Sequence, residues 1–313
     1  MKIVVLDDYQ DVARSLADWD SLGAEVEVIT SYLGDHDELV RRLAGAEVVV
    51  AMRERTRFTA ELLERLPDLK LLVSTGRRNA AIDLKATERL GVTVCGTGYL
   101  PHPTAEHTWA LILAAHRHLE TELAAMRDGA WQSTVGAGLH GKTLGLLGLG
   151  NLGQRVAKIG QAFGMETIAW SQNLTAERAA EHDVTAVSKE DLFARADVLS
   201  VHLVLSKRTR GLVGAAELAA MKPGALLVNT SRGPIVDEQA LLDALRARRI
   251  HAALDVYDIE PLPADHPLRA MRNATLTPHL GYVTREVYEI FYRDAVEDIA
   301  AWRDGNPVRV MTL

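Results

Sequence analysis

The chain has 313 residues, 48% of them hydrophobic and 25% charged, a globular composition long enough for two domains. A formal net charge of -7 argues against a nucleic-acid partner and against a membrane surface. One cysteine, Cys95, leaves no intrachain disulfide and no thiolate metal cluster, and no metal site is expected.

The N-terminal run Met1-Lys2-Ile3-Val4-Val5-Leu6 reads as a strand and lacks the length and flanks of a signal peptide. No run of about 18 apolar residues occurs, so no membrane span is expected and the cytoplasm is the default location. Strands are predicted at residues 3–6, 26–29, 48–51, 69–73 and 92–95. A long helix follows at about 104–118. Six further strands are predicted at 143–149, 167–170, 198–203, 225–230, 251–255 and 274–277, and a last helix at about 284–302. The strands are continuous apolar runs, as in parallel sheets buried on both faces. Helical stretches between them, such as 154–163 and 238–248, supply crossovers. This is an α/β chain with two doubly wound parallel sheets. Arg246, Arg248 and Arg249 fall where a helix should end, a favourable place for cations. His102, His107, His116 and His118 cluster near the long helix and read as structural rather than as metal ligands.

Thr143 to Leu149 runs as a strand into Gly148-Leu149-Gly150-Asn151-Leu152-Gly153, a G-x-G-x-x-G turn. Gly148 permits the tight turn, Gly150 clears space for a pyrophosphate, and Gly153 lets the helix pack closely. The helix beginning at Asn151 and Leu152 would turn its free amides and positive dipole end toward the phosphates. About 20 residues on, a carboxylate should hold the ribose 2′-hydroxyl of NAD. Ser171 stands there, followed by Gln172, and no Arg or Lys occurs before Arg178. NAD is favoured, and NADP stays open.

Three polar residues stand at strand ends, where α/β sheets place ligands: Arg232 in Thr230-Ser231-Arg232-Gly233, Glu260 before Pro261, and His279 after Pro278. Reduction of a carbonyl leaves negative charge on oxygen and needs a proton donor active near neutral pH, which suits imidazole. A carboxylate such as Glu260 stabilises the imidazolium of His279 and orients its ring. Arg232 offers a fork of donors to a substrate carboxylate and carbonyl.

With the glycine turn, the Ser-Arg-Gly segment, the Asp-Val-Tyr…Glu-Pro segment from Asp255 and the Pro-His segment in this order, the chain resembles the D-isomer-specific 2-hydroxyacid dehydrogenase family over nearly its whole length. The resemblance implies a flavodoxin-like substrate domain, 1–100 with 283–313, and a Rossmann-type dinucleotide domain, 101–282. It implies a cleft between them, a homodimer formed through the dinucleotide domains, and a small 2-oxo acid as substrate: glyoxylate, hydroxypyruvate, pyruvate or a relative. It puts Asp255 and Thr230 beside the nicotinamide, and Leu203, Val204, Thr209, Ser231 and Gly281 along the cofactor. In the first domain, relatives hold the substrate carboxylate on the amides of a glycine loop. Here that loop reads Gly76-Arg77-Arg78-Asn79, with Arg78 in the second glycine's place, and Arg53 falls where relatives face the cleft.

Other readings compete. Some relatives are NADH-sensing corepressors of the same fold. Formate dehydrogenases are similar, but hydride removal from formate needs no proton relay. A Rossmann methyltransferase remains if only the glycine turn is weighed.

Overall fold

Every apolar run singled out above becomes a strand, and all the strands pair in parallel. The computed structural model describes residues 1–312. It divides into two units, Met1–Leu100 with the chain from Thr284 onward, and Pro101–Val283.

The first unit holds β1 (Lys2–Val5), β2 (Glu25–Val28), β3 (Val48–Ala51), β4 (Leu71–Ser74) and β5 (Thr93–Gly96), in the order β2-β1-β3-β4-β5. This is the flavodoxin-like order. The helix Arg285–Arg303 belongs to this unit; it buries Tyr288, Phe291, Tyr292, Ala295 and Ile299. Their spacing of three and four residues gives the helix one apolar face, and burial of each large side chain contributes roughly 1.5–3 kcal/mol. The Tyr292 hydroxyl lies 3.1 Å from Oδ1 of Asp8. Past the helix, the chain bridges back to β5: Val310 pairs antiparallel with Cys95, and the Met311 amide donates to the Val94 carbonyl at 2.8 Å. Cys95 is fully buried; burial and then the nearby Asp298 push its thiol up to about 12, so it is an inert core group.

The second unit holds β6 (Thr143–Leu147), β7 (Glu166–Trp170), β8 (Thr185–Ala186), β9 (Val198–Val201), β10 (Leu226–Asn229), β11 (His251–Leu254) and β12 (Ala274–Leu276). Its order is β12-β11-β10-β9-β6-β7-β8. Counted from β6, that is the 3-2-1-4-5-6 Rossmann order with one strand added, and the order reverses between β6 and β9. The two-residue β8 escapes the sequence pattern because it is too short to carry a run.

The helix expected at about 104–118 forms as His102–His116, and a second helix that the sequence reading did not include follows it. The first, His102–His116, has Pro103 in its opening turn, where a missing N–H costs nothing. His118 then adopts φ +49°, which ends any continuous helix, and Leu119–Arg127 follows. No helix among the described residues is long and apolar enough to cross a membrane.

Candidate active site

The glycine turn lies at the reversal of strand order. Gly148 has φ +106°, and a Cβ there would meet the His202 carbonyl oxygen at 2.6 Å. A Cβ on Gly153 would meet the Gly148 oxygen at 2.2 Å. Gly150 is different, since nothing stands within 4 Å of its Cβ position. The fold therefore demands the first and third glycines. The open space at the second, at the N-terminus of the Asn151–Ala162 helix, fits a pyrophosphate approaching the backbone. The Gly148 amide donates to the Trp170 carbonyl at 2.9 Å, which brings the end of β7, and with it Ser171, beside the turn. His202, partly buried, is pushed down by burial to about 4 and is a neutral ring; Ser200 is its 2.9 Å partner. Beyond it Val204 is exposed. Thr209 donates to the Val204 carbonyl at 2.7 Å and accepts the Ser206 amide at 2.8 Å, so its hydroxyl fastens this loop.

At the end of β10, Asn229 accepts the Ser231 amide at 3.0 Å and donates to the Arg232 carbonyl at 2.9 Å. The Ser231 hydroxyl donates to Val201 at 2.9 Å. A Cβ at Gly233 would fall 2.1 Å from the Tyr257 carbonyl carbon, so only glycine lets this turn lie against the segment after β11. These contacts fix the backbone of Arg232, whose side chain is partly buried. Thr108 spends its hydroxyl proton on the Thr104 carbonyl, so Thr230 is the donor in their 2.8 Å contact.

Asp255, fully buried after β11, gathers donors. Its Oδ1 takes the Thr277 hydroxyl at 2.6 Å and the Leu280 amide at 2.7 Å, and its Oδ2 takes the Gly281 amide at 2.8 Å. His107 adds a fourth contact, with Nε2 at 3.2 Å from Oδ1. Burial alone would raise this carboxyl; the His107 hydrogen bond and charge, then Thr277 and Leu280, outweigh it and hold it below the ordinary value. Asp255 thus pins the segment that carries His279, which sits at φ +55°. Tyr257 donates its hydroxyl to the carbonyls of Leu254 and Thr277, and its amide donates to Oε1 of Glu260 at 2.9 Å. Oε2 of Glu260 then lies 2.6 Å from Nδ1 of His279. A carboxylate accepts, so the proton is on Nδ1 and Nε2 is left for other chemistry. The ring packs edge-on against Tyr282 at 5.3 Å.

His107, grouped by sequence with the neighbouring histidines as structural, lies against Asp255. Its place against Asp255 makes it part of the site's scaffold, while His102, His116 and His118 take no part in it. Among the described residues no group of His, Cys, Asp and Glu could hold a metal ion.

In the first unit, Gly76 has φ +89°, and a Cβ there would lie 1.9 Å from a guanidinium nitrogen of Arg53. The Arg53 amide donates to the Thr75 hydroxyl at 2.8 Å, its guanidinium to the Thr75 carbonyl at 3.2 Å, and the guanidinium lies 5.7 Å from the Tyr99 ring centre. The Gly76 amide is taken by the Thr97 hydroxyl at 2.7 Å. Arg78 keeps a negative φ, which is why this position accepts a side chain where relatives have glycine. Arg77 and Arg78 are exposed and line a cavity of about 800 Å³ together with residues 96–98 and 309–312.

A Rossmann sheet with its glycine turn at the order reversal, and a histidine–carboxylate pair at the strand ends, defines a dinucleotide-dependent oxidoreductase. The model of the D-isomer specific 2-hydroxyacid dehydrogenase NAD-binding domain matches residues 109–281. A glyoxylate reductase of Aeropyrum pernix is 42% identical over 261 residues, covering 80% of this chain and 78% of that protein. A D-3-phosphoglycerate dehydrogenase of Archaeoglobus fulgidus is 37% identical over 92% of this chain, which spans only 55% of that protein's length. The crystal structure of a phosphoglycerate oxidoreductase from Vibrio cholerae superposes with a TM-score of 0.94 at 42% identity, covering 97% of this chain and 99% of that one. The chain belongs to the D-isomer specific 2-hydroxyacid dehydrogenase family. It is an oxidoreductase of 2-oxo and 2-hydroxy acids, and NAD(H) is its cofactor.

Proposed function

We propose that the chain reduces a short 2-oxo acid to the D-2-hydroxy acid with His279 as the proton donor. The observation that carries this reading is the 2.6 Å contact between Glu260 and Nδ1 of His279. Bound NADH supplies the hydride to C2 of the substrate. His279 gives its Nε2 proton to the carbonyl oxygen as the C=O π pair becomes a lone pair. Glu260 offsets the imidazolium charge before the transfer and holds the ring in one orientation. Arg232 binds the substrate carboxylate and carbonyl oxygen through paired donors. Run backwards, the same groups oxidise the hydroxy acid, with His279 accepting the hydroxyl proton.

The dinucleotide is assigned to Gly148, Gly150, Asn151, Leu152 and Gly153 for its pyrophosphate. Ser171 and Gln172 take the ribose, and Leu203, Val204 and Thr209 the adenine side. Thr230, Ser231, Asp255 and Gly281 take the nicotinamide end. Among the described residues Oδ2 of Asp255 has a single donor, which leaves a lone pair for a carboxamide. In the first unit, read as the substrate domain, Arg53 and the Arg77 and Arg78 segment are assigned to substrate. The Arg77 and Arg78 amides make no hydrogen bond among the described residues, which favours an anion there.

Glyoxylate and hydroxypyruvate head the substrate list. The A. pernix relative is named for the first, and a relative from Thermotoga maritima is named for the second. The homodimer is supported by Leu119, Leu123, Met126, Trp131 and Val135, exposed together on and after the Leu119–Arg127 helix. The cytoplasm, which holds an NAD(H) pool, is the proposed location. The test is NADH oxidation, with NADPH in parallel, over a panel of glyoxylate, hydroxypyruvate, pyruvate and larger 2-oxo acids. Saturable turnover with at least one acid is expected; binding of NADH without turnover of any would overturn the reading and leave a cofactor-sensing protein.

A further inference from the structure

The sheet of the second unit has a second populated end. The glycine turn, Arg232, Asp255 and His279 all follow the C-terminal ends of strands. At the opposite ends, Lys142 precedes β6, Asp197 precedes β9, Ala225 precedes β10 and His251 opens β11. Five residues of parallel strand separate the two ends by roughly 16 Å. There a cavity of about 260 Å³ is lined by His116, His118, Lys142, Asp197, Lys222 and His251, with the chain around Gly136 and Gly224 closing its sides.

The charges there do not balance. Asp197 is the one acid in the lining, and it is already satisfied by the Thr143 amide at 2.8 Å and by Lys222 at 2.9 Å. The Lys142 ammonium and the His118 and His251 rings make no side-chain hydrogen bond or ion pair among the described residues. His116 spends Nδ1 on the Ile112 carbonyl at 3.1 Å, which leaves its Nε2 available. Two lysines and three imidazoles therefore share one concavity with a single carboxylate, Asp197, whose oxygens are already taken by Thr143 and Lys222.

We propose that this cavity is a second ligand site, for a small multiply charged oxyanion of the phosphate class. The volume admits on the order of eight or nine water-sized units, enough for phosphate or a short phosphate monoester. Lys142 supplies a fixed charge, and the three histidines supply N–H donors on protonation, so each contact to the oxyanion is charge-assisted. Lys222 stays shared with Asp197.

The site is pH-sensitive by construction. Burial first, then the charges of Lys142, His251 and His118, hold His116 below the ordinary imidazole range; burial and then His118 do the same to His251. An arriving dianion reverses these repulsions, so binding takes up protons and tightens as pH falls. The titratable and charged groups facing the ligand are His116, His118, Lys142, Asp197, Lys222 and His251.

The test is calorimetry on the full chain saturated with NADH, which fills the glycine turn. Inorganic phosphate and glycerol phosphate are titrated separately at pH 6 and pH 8, at equal ionic strength. One site per chain is expected, with the affinity for the dianion, corrected for the ligand's own protonation, about tenfold tighter at pH 6 and with proton uptake beyond the ligand's own measurable as a buffer-dependent heat. Lys142→Gln and His251→Asn should each weaken it on the order of tenfold with NADH affinity unchanged. Tighter binding of the ester marks an organic phosphate as the ligand, and equal binding marks inorganic phosphate. No binding of either, or equal binding by wild type and both variants, overturns the proposal. Binding that appears only on dilution, as the chain dissociates, also overturns it and gives the cavity to a second copy.

Discussion

Nε2 of His107 stands 3.2 Å from Oδ1 of Asp255, across 148 residues of sequence. The contact ties the middle of the His102–His116 helix to the carboxylate that holds Leu280 and Gly281, and through them the backbone of His279. His107→Ala removes one donor and one charge from a buried acid. Because Asp255 is held below its ordinary value, its contribution is present above the unfolded carboxylate value near 3.9 and is lost as pH falls through the lower folded value. The variant should be about 1–3 kcal/mol less stable at pH 6. Urea unfolding from pH 7 downward should show the gap narrowing once pH drops below about 4. A gap independent of pH would mean that His107 acts by packing alone.

His279→Ala should lower kcat for oxo-acid reduction by roughly 10²-fold or more, the range of general acid catalysis. NADH affinity, read by fluorescence titration, should change little. Near-wild-type turnover would remove His279 from the chemistry.

Glu260→Gln keeps the shape of the side chain and removes the charge 2.6 Å from the imidazole. Reduction needs the protonated ring, and the imidazolium loses its counter-charge. The alkaline limb of the kcat/KM profile should therefore move to lower pH. A limb that stays in place would show that the contact is not used.

Ser171→Asp should raise the preference for NADH over NADPH. A carboxylate accepts from the 2′-hydroxyl and repels a 2′-phosphate. An unchanged ratio of kcat/KM for the two cofactors would place Ser171 away from the ribose.

Arg77→Ala and Arg78→Ala, made separately, should raise KM for oxo acids that carry a second anionic group. Glyoxylate and pyruvate kinetics should hardly change, because they have no tail to meet a guanidinium. If both variants match wild type on every acid, specificity lies with Arg53 instead.

How much of this was legible in the chain depends on range. Val48 to Ala51 and Thr143 to Leu147 are apolar enough to announce buried strands, and the glycine turn and the His279, Glu260 and Arg232 motifs are local patterns. The break at His118 was not readable, since the residues on both sides keep helical character and only the left-handed backbone at that position divides them. Nor was the role of His107, whose partner lies beyond the reach of any local spacing. One signal did exist: an acid at the end of an apolar strand, as Asp255 is, must find donors somewhere. The free amides beside Arg78 were hidden for the opposite reason. A non-glycine residue there does not by itself tell whether the amides stay available, and only the negative φ at Arg78 shows that the position never needed glycine.

The first unit is built from two stretches of chain, one before residue 101 and one from Thr284 onward. The helix Arg285–Arg303 brings Phe291, Tyr292 and Ile299 to its core, and Val310 bridges to Cys95 on β5. During synthesis, therefore, five strands leave the ribosome without the helix that buries one of their faces. The middle unit, Pro101–Val283, is continuous and can close first. For the time it takes to translate some two hundred residues, at 5–20 per second and so roughly ten to forty seconds, the sheet β2-β1-β3-β4-β5 waits half-covered. During that interval the uncovered face of the sheet stays open to aggregation.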